Sequence, residues 1–198
     1  WWVIINNTYG DTRMTSKLKT DVLETVSGSG TIALTNQLSG MTDASMPAGN
    51  VVQQVYYSTG SYATSSVLIP LDNTIPQITE GTEFLSVAIT PKSASNILFI
   101  QVVLAANSNQ TSGHGFTTAL FVGTTANALA SISALVQSGY LSPMGLNHRV
   151  VSGTTNELTF RVRAGGSNAG GPTMVNGFEG AKNGGTISSS ITITEIKG

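Results

Sequence analysis

The fold is decided by the stretch Asn96-Ile97-Leu98-Phe99-Ile100-Gln101-Val102-Val103-Leu104-Ala105-Ala106-Asn107. It is apolar at nearly every position and rich in β-branched and aromatic residues, which is typical of a strand that is covered on both faces. Periodicity alone leaves a buried helical turn open, but Pro91 and a Ser/Asn cluster upstream favour a strand. One face is expected to meet a partner sheet. Because the chain offers few helices to cover the other face, we expect Phe99 and Val103 to be buried in the core or in a trimer of identical chains.

Shorter strands with turn signals between them are predicted on both sides of this stretch. The turn signals include Asp72-Asn73-Thr74 and Gly153-Thr154-Thr155. Residues 124–130 are predicted as one or two helical turns with a Thr N-cap. The predicted strands cover residues 51–57, 66–69, 83–90, 117–122, 146–151, 157–163 and 190–196. This pattern predicts an all-β fold, an antiparallel β-sandwich or jelly roll.

The composition excludes several classes of function. Charged residues make up only 10% of the chain and the formal net charge is -1, whereas about 25% charged residues is usual. No basic face is therefore expected for nucleic acid or for anionic lipid. There is no cysteine, which excludes disulfides and thiolate metal sites. No apolar run approaches the roughly 18 residues of a membrane span, so membrane insertion is not expected.

Catalytic motifs are weak, and we expect neither an enzyme nor a cofactor. The two histidines, His114 and His148, are not accompanied by a Gly-x-Ser-x-Gly motif. Asp72, Glu80 and Glu83 lie close together in sequence and offer a conceivable glycosidase pair. The alternative that we favour is a turn residue followed by solvated charges at a strand end.

Several segments together resemble a C-terminal domain of tail-fibre and other fibrous structural proteins of bacteriophages and prophages. The resemblance covers residues 51–198. It depends on the order and spacing of Gln54-Val55-Tyr56-Tyr57, Thr74-Ile75-Pro76-Gln77 with Glu80-Gly81, Ile89-Thr90-Pro91-Lys92-Ser93-Ala94-Ser95-Asn96, Ala119-Leu120-Phe121, Asn127-Ala128-Leu129-Ala130, Gly153-Thr154-Thr155, Phe160-Arg161-Val162-Arg163-Ala164-Gly165, Asn176-Gly177 and Ser190-Ile191-Thr192-Ile193-Thr194-Glu195-Ile196.

The resemblance implies an all-β tip domain, commonly trimeric, on the exterior of a virion that is made in the cytoplasm of a bacterial host. Residues 1–50, which contain a predicted hairpin, would then connect this tip to a shaft or to the particle. The implied partners are identical chains, other virion proteins and a glycan or protein of the host surface. The alternatives are a head fibre, a capsid-decoration or baseplate component without receptor binding, or an enzyme such as a glycan depolymerase or esterase.

Loops on a rigid sandwich are the expected contact regions, and the candidates are residues 107–116, 137–146 and 166–185. The side chains selected as candidate contacts are His114, Phe116, Tyr140, Arg163, Asn168, Asn176 and Lys182. His114 is either an exposed loop residue or, in three copies at a trimer axis, a metal ligand. Arg161 and Arg163 share one outward face, where they either bind an anion or pair with Glu157 or with a carboxylate on a neighbouring strand.

Overall fold

The central strand predicted from the sequence is present as a strand from Ile97 to Ser108. The computed structural model describes residues 46–109, 114–169 and 171–198, which belong to a unit running from Met41 to Gly198. The hairpin predicted within residues 1–50 lies outside the described residues.

Ten strands and one 3-10 turn, Asn183–Gly185, make up the regular structure of the described residues, which include no α-helix. The helical turn predicted at residues 124–130 is therefore wrong, because this segment is a turn that bridges from Asn127 to Gln77. The strands are β1 Val51–Thr59, β2 Ala63–Ser65, β3 Thr82–Ile89, β4 Ile97–Ser108, β5 His114–Val122, β6 Ala130–Val136, β7 Ser142–Val151, β8 Leu158–Gly166, β9 Thr173–Val175 and β10 Ser189–Ile196.

The strands form two antiparallel sheets. Sheet 1 has the order β1-β10-β4-β7, and the short strands β9 and β2 extend it beyond the end of β4. Sheet 2 has the order β3-β8-β5-β6. β4 lies at the centre of sheet 1, where it pairs with β10 on one side and with β7 on the other.

This strand order decides between the two predicted architectures. Without the short β2 and β9, the remaining eight strands can be numbered 1 to 8 along the chain, and the sheets then have the orders 1-8-3-6 and 2-7-4-5. Each sheet takes strands from both halves of the chain, as two interleaved Greek keys require. The all-β prediction is confirmed, and the fold is a jelly roll.

Antiparallel pairing sorts the connections into two groups at opposite ends of the sandwich. The start of β1 lies beside the end of β10 and the start of β4, since Ile196 pairs with both Val51 and Ile97. We call this the entry end. The strands β1, β4, β6 and β8 end at the opposite end, which we call the loop end. The connections after β3, β5 and β7 lie at the entry end.

The core lies between the sheets, and the two outer faces differ. Leu98, Ile100, Val102 and Leu104 of β4 all point inward and are fully or almost fully buried. They belong to one apolar cluster with side chains of sheet 2 such as Phe160. Alternation along β8 is confirmed, because Phe160 and Val162 are buried while Arg161 and Arg163 lie on the other face.

The outer face of sheet 2 is covered by the chain itself. Ile69, from the connection between β1 and β3, is fully buried against Ala119 and Phe121 of β5, with Ile78 and Ala128 beside them. The strand predicted at residues 66–69 is absent. These residues are irregular cover instead, tied down where the Ile69 amide donates to the Gly166 carbonyl and the Gly81 amide donates to the Leu68 carbonyl.

The outer face of sheet 1 has no such cover among the described residues. Val103 is 48% exposed and Phe99 is half-buried, so the expectation of core burial is wrong for both side chains. The reason is the strict alternation of β4, which places odd-numbered residues 97 to 103 on the outer face. Their burial in a trimer stays a prediction.

Candidate functional site

The described residues on either side of the three predicted contact loops lie together at the loop end, whereas residues 110–113 and 170 of these loops lie outside the described residues. The loops correspond to the connections after β4, β6 and β8, whose flanking strand ends the jelly roll gathers at one end although they are far apart in sequence. Parts of these ranges are strand: residues 142–146 open β7 and Thr173–Val175 form β9.

Among the described residues, no helix has the length and apolar character that a membrane span requires.

Three of the selected side chains are exposed at this end. Tyr140, in the turn between β6 and β7, is 68% exposed. Asn168 and Lys182, in the connection from β8 to β10, are exposed as well. The Lys182 ammonium group lies 5.8 Å from the centre of the Phe178 ring, a cation–π geometry that orders the lysine on the loop surface.

Two other selected residues belong to β5. Phe116 is fully buried in the sandwich core, which corrects its expected role as a receptor contact. It belongs to β5, where it faces inward beside Leu120. His114 is the first residue of β5, so its backbone is strand and not loop. The described residues contain no group of three or more His, Asp or Glu side chains that could hold a metal ion.

Asn176 is also fully buried, so its amide is not a surface contact. Its Nδ2 donates to the carbonyls of Thr59 and Ser61 at 2.9 and 3.1 Å, and its Oδ1 accepts from the Ser189 hydroxyl at 2.6 Å. Its φ of 61° is in the left-handed region, which Asn tolerates better than most residues. The residue therefore ties three loop-end segments together.

Asn107 has a comparable role that the sequence did not reveal. Its Nδ2 donates to the Gln137 carbonyl at 3.3 Å and to the Tyr140 carbonyl. The fully buried end of β4 thus holds the turn that presents Tyr140. The Oδ1 of Asn107 is buried without a partner among the described residues.

Arg161 and Arg163 follow the structural alternative, with a carboxylate on the neighbouring strand β3. The Nη1 of Arg161 lies 3.0 Å from both carboxylate oxygens of Glu83, and the Nη1 of Arg163 lies 3.9 Å from Oε2. Arg163 also donates to the carbonyls of Glu80 and Gly81 at 2.8 Å. Because the guanidinium group of Arg163 already binds these internal partners, it has fewer donors left for a receptor.

The three carboxylates considered for glycoside hydrolysis are each engaged locally. Glu80 Oε2 accepts from the Gln77 amide at 2.9 Å, and Glu83 is paired with Arg161. Asp72 accepts from both the amide and the hydroxyl of Thr74, and these bonds lower the pKa of the Asp72 carboxyl below its ordinary value. This arrangement is that of a turn residue with strand-end charges.

A different acidic residue organises the entry end. Glu195 of β10 is fully buried. It accepts from Gln53 Nε2 at 2.5 Å, from the Lys92 amide at 2.8 Å and from Asn96 Nδ2 at 2.7 Å. It therefore joins β1, β10 and the connection from β3 to β4.

A cavity of about 270 Å³ opens at the edge of the sandwich, where the last residues of β1 face the first residues of β3. We call it the edge cavity. It is close to the loop end because β1 ends there and β3 begins there. Its lining consists of Tyr57, Thr59, Ser61, Ala63, Glu83, Phe84, Val175 and Asn176.

No protein-family model matches the sequence, and a search of curated proteins finds no match. Among solved structures, the chain is similar to the VP2 subviral particle of infectious bursal disease virus, with 11% identity, a TM-score of 0.36, and coverage of 74% of this chain and 40% of that one. Dimeric latent PorU from Porphyromonas gingivalis has 12% identity, a TM-score of 0.34, and coverage of 79% and 14%.

The enzymatically active domain of tailspike protein 4 from bacteriophage CBA120 has 19% identity, a TM-score of 0.27, and coverage of 65% of this chain and 19% of that one. The chain thus spans 40% or less of the length of these neighbours. The assignment of the jelly roll depends on the strand order of this chain and not on these similarities.

Proposed function

We propose that this protein is a bacteriophage virion structural protein, the distal domain of a trimeric tail fibre that attaches to a glycan on the host surface. The observation that carries the proposal is the separation of the two ends of the sandwich. The described chain enters at one end, and the strand ends that flank the three contact loops predicted from the sequence lie at the other. A tip domain needs this polarity, because its support must come from behind the surface that meets the host.

The loop end has the properties of a presented surface on a rigid scaffold. Asn107 and Asn176 fix its loops from inside the fold through bonds to backbone carbonyls. Exposed side chains such as Tyr140 and Lys182 are then held outward at low entropic expense. Jelly rolls are common among viral capsid proteins and lectins, which agrees with both parts of the proposal.

The outer face of sheet 1 supports the trimer. Its central strands present Ile97, Phe99, Val103 and Ile196, with Val151 from β7 beside them. Among the described residues of this face only Arg149 is charged. The contrast with sheet 2, whose outer face the chain covers with its own residues 69 and 78, favours cover by another copy on sheet 1.

The oligomeric state can be tested with two matched variants. Val103 and Val67 are 48% and 46% exposed in the single chain, so an Asp at either position stays hydrated in a monomer. We expect wild type and Val67→Asp to sediment as trimers. Val103→Asp should sediment as a folded monomer, because the interface would bury an unpaired charge. A monomeric wild type at tens of micromolar, or a trimeric Val103→Asp, would contradict the trimer.

Attachment is tested with the labelled protein on bacterial cells, comparing strains that carry intact and genetically truncated surface polysaccharides. We expect binding that is lost with the polysaccharide, and weak single contacts strengthened by three copies. Binding to purified virion particles but to no cell in the panel would favour a head fibre, capsid decoration or baseplate component. A fall in the viscosity of a polysaccharide solution would favour a depolymerase.

A further inference from the structure

We propose that the edge cavity binds one neutral sugar residue of the host glycan. This inference rests on the proposed attachment function and gives it a location and a ligand class. None of the exposed side chains selected from the loops lines this cavity, which is built mainly from strand ends.

The size and position of the cavity fit a single sugar ring within a longer glycan. Its volume of about 270 Å³ lies just below the roughly 300–1,000 Å³ that is usual for small-molecule sites. It opens at the sandwich edge beside the loop end, where the rest of a glycan can run along the loops. A deep, closed pocket would instead favour a free small molecule.

The walls combine aromatic and hydroxyl groups, which is the chemistry that a sugar ring requires. Tyr57 and Phe84 come from facing edges of the two sheets and offer apolar surface for the C–H face of the ring. Tyr57 is 42% exposed and is thus accessible. Thr59 and Ser61 add hydroxyl groups. Thr59 Oγ1 accepts from the Ser61 amide at 3.1 Å and keeps its own proton for donation.

The charge balance selects a neutral sugar. Glu83 is the one ionisable residue in the lining apart from the tyrosine. Both of its carboxylate oxygens lie 3.0 Å from Arg161 Nη1. The pair leaves no uncompensated cation in the wall, so sialic acid, uronic acids and sugar phosphates have no charged partner there.

Asn176 makes the site preorganised. It is a positioning residue, since its two Nδ2 protons go to the carbonyls of Thr59 and Ser61 on the cavity wall. The Ser189 hydroxyl donates to its Oδ1 and completes the bonding of its side chain. The wall is therefore fixed before a ligand arrives, which lowers the entropic penalty of binding.

The test uses the full chain and free sugars, with binding followed by saturation-transfer difference NMR. The panel contains neutral hexoses, N-acetylhexosamines, sialic acid and glucuronic acid. We expect neutral sugars to give signal and Tyr57→Ala to weaken their binding at least about tenfold, which is about 1.4 kcal/mol. The control is Tyr56→Ala. Tyr56 is on the opposite face of the same strand and is 62% exposed, so its replacement should leave the signal unchanged.

Thr59→Val provides a second variant that keeps the shape of the side chain and removes its hydroxyl. It should also weaken binding, and circular dichroism checks that each variant is folded. Unchanged binding by folded Tyr57→Ala, or a preference for the acidic sugars, would overturn the assignment. If the wild-type protein binds cells but no free sugar, the sugar site in the edge cavity is overturned and the attachment function stands. If it binds neither cells nor free sugars, the attachment function is overturned as well.

Discussion

The buried carboxylate of Glu195 offers a sharp test of how the sandwich is held together. Its three partners are neutral donors, namely Gln53 Nε2, the Lys92 amide and Asn96 Nδ2, at 2.5 to 2.8 Å. Replacing Glu195 by Gln keeps the side-chain size and removes the charge. The new amide oxygen can take the place of Oε1 and accept two donors. Its NH₂ group then faces the donor of Gln53, so one bond is lost.

The expected magnitude follows from this count. A hydrogen bond to a charged group contributes roughly 1.5–3 kcal/mol, whereas a neutral bond contributes about 1 kcal/mol. Loss of one charged bond and weakening of the other two, partly offset by easier burial of a neutral amide, give a decrease of about 2 kcal/mol in the free energy of unfolding. In a chain of this size that lowers the melting temperature by about 4–8 °C.

The assay is thermal unfolding followed by circular dichroism at one fixed protein concentration, since assembly makes the melting temperature depend on concentration. The control is Glu157→Gln, an exposed carboxylate whose replacement should change stability by less than about 0.5 kcal/mol. A double-mutant cycle with Asn96→Ala should give a coupling of about 0.5–3 kcal/mol. A Glu195→Gln protein that melts within about 1 °C of wild type would refute the argument.

Three further variants probe other contacts. Ile69→Ala removes the side chain that covers the outer face of sheet 2, and it should lower the free energy of unfolding in urea by about 2–5 kcal/mol. Glu83→Gln removes the charge from a partly exposed ion pair with Arg161, and its effect on the free energy of unfolding in urea should be at most about 1 kcal/mol. Thr74→Val removes the hydroxyl that lowers the pKa of Asp72, so the pKa measured by NMR should rise towards its ordinary value. A lowered pKa stabilises the fold above the unfolded pKa, and this stabilisation is lost as the pH falls through the folded pKa. The free energy of unfolding of Thr74→Val should therefore fall less than that of wild type as the pH is lowered between these two values.

The strands that could be predicted from the sequence are those in which apolar, buried residues alternate with polar, exposed ones. β8 and β10 were located within a few residues, since Phe160 and Val162 in β8 and Ile191 and Ile193 in β10 are large, apolar and buried. β6 was missed, because Ala130-Ser131-Ile132-Ser133-Ala134-Leu135-Val136 has small or exposed side chains at most positions. As an edge strand it depends on backbone pairing with β5 over its full length, and pairing with a distant segment leaves no local signal.

Local sequence also does not show which segments pair with one another in the fold. Residues 66–69 have the composition of a strand, but they join neither sheet. They are buried as cover over β5 instead. The ion pair from Arg161 to Glu83 was foreseen as an alternative, since an outward Arg in mid-strand commonly meets a carboxylate on its neighbour.

Buried amides explain why the candidate site differs from the one that composition suggests. Asparagines in Gly-rich loops look like sugar contacts, yet Asn176 is fully buried while Asn168 is exposed, and Asn96 just before the central strand and Asn107 within it are fully buried as well. A chain with 10% charged residues has few other groups that can satisfy loop carbonyls inside the fold, and an amide donates twice from one side chain. Asn107 and Asn176 therefore hold the loop-end segments through backbone carbonyls, and the proposed attachment function would leave recognition to groups that remain accessible. Exposed aromatic rings and hydroxyls at strand ends meet that condition, and in the edge cavity Tyr57 lies beside Thr59, whose backbone carbonyl accepts from Asn176.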